Sequence, residues 1–259
     1  MSHAQNISPP QNTPLAGRVD ALRASELPVV LGNGADEWSP DLQLPHSMWE
    51  IFGSMDDVAG DALALAFAQK HCAAGGEGWR WLWVQDARST RSSGRPFLHG
   101  LPPPLRSGFI HVEAGSAADA LWAMEEGVRC GALSFVIGEI AGDPKVLDFT
   151  ATRRLVLTSE RHGVPLYLLR RGGAADLSAA RLRWQVHSAP SAPHRWNALA
   201  PGAVRMAAEL FRGRGFKPDH FVLEHAAHAD EPHAAAGHRL TLVSEPRHRP
   251  LEQERRQTG

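Results

Sequence analysis

From residue 46 onward, short apolar runs alternate with stretches in which apolar residues recur every three or four positions. Met-Trp-Glu-Ile-Phe at 48–52 predicts a strand that ends at Gly53. A helix follows over about 57–73, with Leu63 and Phe67 one turn apart, and Gly75 and Gly76 stop it. Residues 79–85 and 108–112 predict two more strands. Ser116, with Asp119 three residues on, gives a capping-box-like start to a helix whose face carries Leu121, Met124 and Val128. The apolar run 133–140 predicts a strand with an acid, Glu139, near its end. Asp143-Pro144 then reads as an N-cap followed by proline at the first helical position, opening a helix with the buried stripe Leu147, Ala151 and Leu155. His162-Gly163 ends that helix, and 164–169 is a strand again. Strands separated by helices of this length imply a mainly parallel sheet with helices on its faces.

Past about residue 178 the period changes to two. Leu182, Trp184 and Val186 alternate with Arg181, Arg183, Gln185 and His187; Val204, Met206, Ala208 and Leu210 do the same, as do Phe221 with Leu223 and Leu240 with Leu242. Such alternation predicts half-buried antiparallel strands with one wet face, so the C-terminal half extends the sheet by hairpins. Around this body, taken as 46–244, the pattern predicts a flexible Pro-containing arm at 1–14. A short helix over 15–27, stopped before Pro28, and an irregular linker fill 15–45, and a polar mobile tail occupies 245–259.

Composition fits a globular chain: 43% hydrophobic and 21% charged over 259 residues, with a net charge of −1. That balance argues against a tail-driven nucleic-acid binder or a polybasic membrane protein. No apolar run approaches the roughly 20 residues of a membrane span, and the polar N-terminus lacks the pattern of a secretory leader, so a cytoplasmic protein is expected. Cys72 and Cys130, two cysteines far apart with no Cys-x-x-Cys pairing, offer neither a zinc ribbon nor a disulfide framework and read as small core side chains on helices.

Charge is unevenly placed. Residues 1–150 carry 10 Lys/Arg against 18 Asp/Glu, residues 151–217 carry 12 against 3, and residues 218–259 carry 5 against 7. The basic third quarter either presents a cationic face to a polyanion or acidic partner, or is interleaved in space with the acidic half and cancelled. Its basic groups include Arg153-Arg154, Arg170-Arg171, Arg181, Arg183 and the turn Arg212-Gly213-Arg214-Gly215-Phe216-Lys217. Arg153, Arg154, Arg181, Arg183, Arg212, Arg214 and Lys217 are the partner- or DNA-contact candidates, although Arg181 and Arg183 also fit an ordinary solvent-facing strand edge.

A strand, a glycine and then a helix is where a phosphate loop carries G-x-x-x-x-G-K-[ST]. Counting from Gly53, the second Gly, the Lys and the Ser/Thr fall on Val58, Ala59 and Gly60, so all three are missing. Asp56, Asp57 and Asp61 place carboxylates at the helix start, where they satisfy the dipole that would attract phosphate. Gly53, Asp56, Asp57 and Gly60 thus read as a vestigial loop, and no nucleotide cofactor is expected. Glu139 stands where a magnesium- or water-holding acid would be in such an ATPase; without the lysine, a carboxylate at a sheet edge that caps or pairs with an arginine is the better reading. His225, His228, His233 and His238 have ligand-type spacing in an Ala-rich, turn-like stretch that offers no fixed tetrahedral scaffold, so no metal is expected. No G-x-S-x-G elbow occurs.

Several stretches resemble one family: Ala120-Leu-Trp-Ala-Met-Glu-Glu-Gly-Val-Arg-Cys-Gly-Ala-Leu133, Leu147-Asp-Phe-Thr-Ala-Thr-Arg-Arg-Leu155, Arg183-Trp184 with Ser188-Ala-Pro-Ser-Ala-Pro193, Trp49-Glu50-Ile51-Phe52-Gly53, and Gly94-Arg95-Pro96-Phe97. In order over about 200 residues, they look like ImuA proteins of alphaproteobacterial type. The resemblance implies a RecA-like α/β fold with a degenerate phosphate loop. It further implies a non-enzymatic adaptor of SOS mutagenesis and translesion DNA synthesis. Such an adaptor docks on ImuB, a Y-family polymerase relative without catalysis, and on RecA, and acts beside an error-prone C-family polymerase. It carries over no catalytic residues. A divergent RecA-like ATPase using Glu139, and a SulA-like inhibitor of a filament-forming protein, stay open as alternatives.

Overall fold

The computed structural model describes residues 37–39, 42, 45–72, 78–191, 194, 196–197 and 200–224, with 225–226 and 239–242 as backbone. The helix expected at 15–27, the tail past 244, and His228, His233 and His238 lie outside the described residues.

Strand β1 (Met48–Gly53) leads through a short loop into α1 (Ala59–Cys72). Next come β2 (Trp81–Asp86), α2 (Ala87–Ser93), a 3-10 turn at Leu98–Gly100 and the one-turn α3 (Pro103–Arg106). Then follow β3 (Phe109–Ala114), α4 (Ala117–Arg129), β4 (Phe135–Ala141), α5 (Phe149–His162) and β5 (Leu166–Arg171). The rest is strand: β6 (Leu182–Ala189), β7 (Val204–Gly213), β8 (Asp219–Ala226) and β9 (Arg239–Leu242). All nine strands form one sheet in the order β3-β2-β4-β5-β1-β6-β7-β8-β9. The strands from β3 to β6 in that order are mutually parallel, and β7, β8 and β9 are added antiparallel. The expected α/β architecture, a mostly parallel sheet flanked by helices and extended by C-terminal antiparallel strands, is therefore present.

Alternation along the central strands divides the core between two faces. Trp49, Ile51, Trp81, Trp83, Phe135, Ile137, Tyr167, Leu169 and Trp184 pack with Leu63, Phe67 and Ala68 of α1 and Leu105 of α3. Met48, Leu82, Val84, Val136, Ile140, Leu166 and Leu168 pack with Leu121, Met124 and Val128 of α4 and Leu155 and Val156 of α5. Because β1, β2, β4 and β5 are buried from both sides, they read as nearly continuous apolar runs, whereas the edge strand β3 is only partly buried.

Two expectations are corrected. First, α5 does not begin at Asp143-Pro144. Asp148 caps it, its Oδ1 accepting from Ala151 N at 2.7 Å, while the Asp143 carboxylate is occupied by Arg170 and by the Ala174 amide. Second, β6 is not purely antiparallel: it lies between β1, to which it is parallel, and β7, to which it is antiparallel. The Ser116 cap is as expected, its hydroxyl accepting from Asp119 N at 3.2 Å, and Gly163 closes α5 in the left-handed conformation at φ 67°.

Candidate functional site

In an open parallel sheet, ligands are held beyond the carboxyl ends of the strands, where successive connections diverge to opposite faces. Here that place lies between β2, whose chain continues into α2 and α3, and β4, whose chain continues into α5. The β1–α1 loop opens at the same end of the sheet.

A buried ionic cluster fills this end on the α1 side. Arg171, the last residue of β5, donates from Nε to Glu139 Oε1 at 2.5 Å and from Nη2 to Asp61 Oδ2 at 2.5 Å; its Nη1 reaches the Asp57 carbonyl at 3.2 Å. Glu139 also accepts from Trp83 Nε1, Gln85 Nε2 and Ser93 Oγ at 3.2, 2.9 and 2.7 Å. One guanidinium thus ties α1, the β1–α1 loop, β4 and β5 together. Burial, the largest influence, pushes the Asp61 carboxyl up to about 7 although Arg171 pulls the other way; the charges of Glu139 and Asp57 add to the rise. Arg171 is itself held above its usual range by Asp61 and Glu139 against the effect of burial. Glu139 therefore pairs with arginine, as the absence of a loop lysine suggests.

The loop residues divide by role. Gly53 ends β1, and its carbonyl accepts from Gly172 N at 2.8 Å. Asp56 is exposed and bonded to Ser54 Oγ. Asp57 caps the start of α1 through Ala59 N at 2.8 Å and clasps Ser188 by both amide and hydroxyl at 2.7 Å. Burial opposes its ionisation, but the bonds from Ser188 and Ala59 outweigh that and hold it below the usual carboxylate range. Gly60 lies against Ile51 and Leu169, where a methyl group would sit 3.4 Å from Ile51.

A second ionic cluster occupies the other face. Glu50 of β1, fully buried, accepts from Arg183 Nε at 2.6 Å and lies 3.5 Å from Arg170 Nη1. Arg170 also bonds Asp143 at 2.7 Å. Both guanidiniums stand over the Phe52 ring, at 5.3 and 5.1 Å, and Arg183 over Phe211 as well, at 5.2 Å.

The seven expected contact residues are not gathered into one patch. Arg183 is only 3% exposed and is corrected from contact residue to core ion pair. Arg181 is held in a bidentate pair with Glu160 at 2.5 and 2.8 Å, and Arg154 pairs with Glu125 at 2.6 Å. Arg153 is exposed on α5. Arg212 is exposed at the end of β7, and Arg214 and Lys217 in the turn that follows, beside the amino end of β6. The two charge-rich segments interleave: Glu50, Asp61, Glu125, Glu139 and Asp143 of the acidic half neutralise Arg154, Arg170, Arg171 and Arg183 of the basic quarter. Among the described residues no group of three or more His, Cys, Asp or Glu could hold a metal ion. Nor is any helix among them long and apolar enough to cross a membrane.

Sequence reasoning missed the centrality of Arg171 and the whole of α2. The signal for the first was a charged pair, Arg170-Arg171, ending an apolar strand, with Glu50 and Glu139 set inside two other apolar strands. Buried charges of this kind need each other. Compared with models of known protein families and with curated proteins, the chain matches none.

Proposed function

We propose that this chain is a RecA-like, non-enzymatic adaptor of translesion DNA synthesis. In this reading it docks on RecA and on an ImuB-like Y-family polymerase relative, beside an error-prone C-family polymerase. The observation that carries the reading is Arg171. In a nucleotide-binding protein of this architecture, the loop after β1 would wrap a phosphate whose charge a lysine and a metal balance. Here an internal guanidinium takes the position between the loop carbonyl of Asp57, the helix residue Asp61 and the strand-end Glu139. Two carboxylates already claim that cation, so an entering triphosphate meets like charge. Gly53, Asp56, Asp57 and Gly60 are on this reading the remains of a phosphate loop converted into a structural clasp. The ordered sequence similarities to the ImuA family supply the partners.

Titration calorimetry with ATP and magnesium is expected to give no heat of binding; saturable micromolar binding overturns the non-enzymatic reading. Co-purification from DNA-damaged cells is expected to recover RecA and the ImuB-like protein, and recovery of neither overturns the adaptor reading. Arg212→Glu with Arg214→Glu, at an exposed turn, is expected to weaken that recovery and to reduce its salt sensitivity. Unchanged recovery removes the turn from the docking surface.

A further inference from the structure

Within the acidic half of the chain, the stretch from residue 87 to residue 112 has four arginines and no carboxylate. Three of them gather at α2 and just beyond it. Arg88 and Arg91 are exposed and have no partner among the described residues. Arg91 occupies the side of the helix opposite Ser89, which is buried, and Ser93, which is bonded inward; Arg88 lies on the adjoining flank, its guanidinium over the backbone of Gly142 beyond β4. Arg95, beyond the Gly94 cap, forms an ion pair with Glu113; with side chains 72% and 38% exposed, that surface pair exchanges readily. Two residues further on, Phe97 is 71% exposed, with the His99 ring at 5.6 Å.

This basic, aromatic surface is rigidly mounted. Ser93 donates to Glu139 at 2.7 Å and Gln85 donates to the Gly94 carbonyl at 3.0 Å, so the end of α2 is bolted to the strand ends of β2 and β4. Asp86 caps its start through Ser89 N at 2.7 Å.

We propose that the outer face of α2 and the following turn bind single-stranded nucleic acid, with Arg88, Arg91 and Arg95 on successive phosphates and Phe97 stacking a base. Cations spaced along a short ridge beside an exposed flat ring are what a flexible polyanion with unpaired bases recognises. A two-turn helix is too short to read a duplex groove. An acidic peptide would leave the ring without a stacking partner, and a mononucleotide would need the crevice that the Arg171 cluster fills. The proposal goes beyond the adaptor reading and does not depend on it, because co-purification can fail while oligonucleotide binding persists.

The test is fluorescence anisotropy of the full chain with a labelled oligothymidylate of about 16 nucleotides, the upper end of a single-strand site. Saturable binding is expected, weakening steeply with salt. Arg88→Ala with Arg91→Ala is expected to weaken it about tenfold and to flatten the log–log salt slope by about 1.4, or about 0.7 for each phosphate no longer neutralised. Phe97→Ala is expected to weaken it about tenfold with the slope unchanged. Arg80→Ala with Arg161→Ala, the same charge change at two exposed arginines before β2 and at the end of α5, is expected to leave binding as it is. The proposal is overturned by absence of saturable binding, by equal loss in the two double variants, or by displacement of the oligonucleotide by polyglutamate or pyrophosphate at equal charge. Far-UV circular dichroism and melting verify that each variant is folded.

Discussion

Arg183 and Arg212 face each other in register across β6 and β7, yet their side chains meet opposite environments. Arg183 is 3% exposed against a fully buried Glu50; Arg212 stands in water. Arg183→Ala leaves Glu50 with only the longer contact to Arg170, and breaking a buried pair in this way is expected to cost about 3–5 kcal/mol. Arg212→Ala is expected to change stability by no more than about 0.5 kcal/mol. Urea denaturation measures both, and equal losses contradict the assignment of Arg183 to the core. Asp61 gives a prediction with a defined sign. Its carboxyl rises from 3.8 in the unfolded chain to about 7 in the folded one, so between those values the native state holds the extra proton. Stability falls as pH climbs through that window. Asp61→Asn keeps an acceptor for Arg171 but no charge, so the melting temperature of the variant relative to the wild type is expected to rise from pH 4 to pH 7 and to level off above. A difference that does not vary with pH shows that Asp61 ionises normally.

At the scale of elements, the periodicities located every strand from β1 to β8 and the helices α1, α4 and α5, because each is long enough to show its period and bury a face. What they could not locate has physical causes. Asp143-Pro144 is as good an opening for a helix as Asp148, and only Arg170, brought from 27 residues away, decides between them by claiming Asp143. Asp148→Ala is expected to lose about 1 kcal/mol of stability, as for other N-caps. Asp143→Ala is expected instead to act through Arg170, its cost shrinking when Glu50 is already replaced by Gln. A double-mutant cycle in urea separates the two roles. The alternation at 182–188 predicted one wet face and correctly placed Leu182, Trp184 and Val186 inside. Alternation, however, carries no information about strand direction or about what covers the other face. Phe52 and Phe211 cover Arg183 there, and neither lies near it in sequence. As for α2, its seven residues span too few turns to show a stripe, and its arginines disappear in a segment count dominated by acids.

Across the whole molecule, the separation of charge along the chain is a consequence of strand order. β1 pairs with β5 on one side and β6 on the other, so the central strand of the first half is completed only by residues 166–189. The same arrangement carries Arg170, Arg171 and Arg183 from the basic quarter onto Glu50, Asp61 and Glu139 of the acidic half. Hydrogen bonding and charge neutralisation therefore depend on the same long-range closure, and neither half can satisfy its buried groups alone. A fragment ending at residue 163 would keep β1 with both edges unpaired, and Glu50 and Glu139 without any arginine to meet them. It is expected to lack a cooperative thermal transition and to show rapid amide exchange throughout 48–53, whereas in the full chain these amides exchange only with global unfolding. A fragment that melted cooperatively with β1 protected would mean that the acidic half carries its own core, and that the ionic clusters secure the sheet after folding without being required for it.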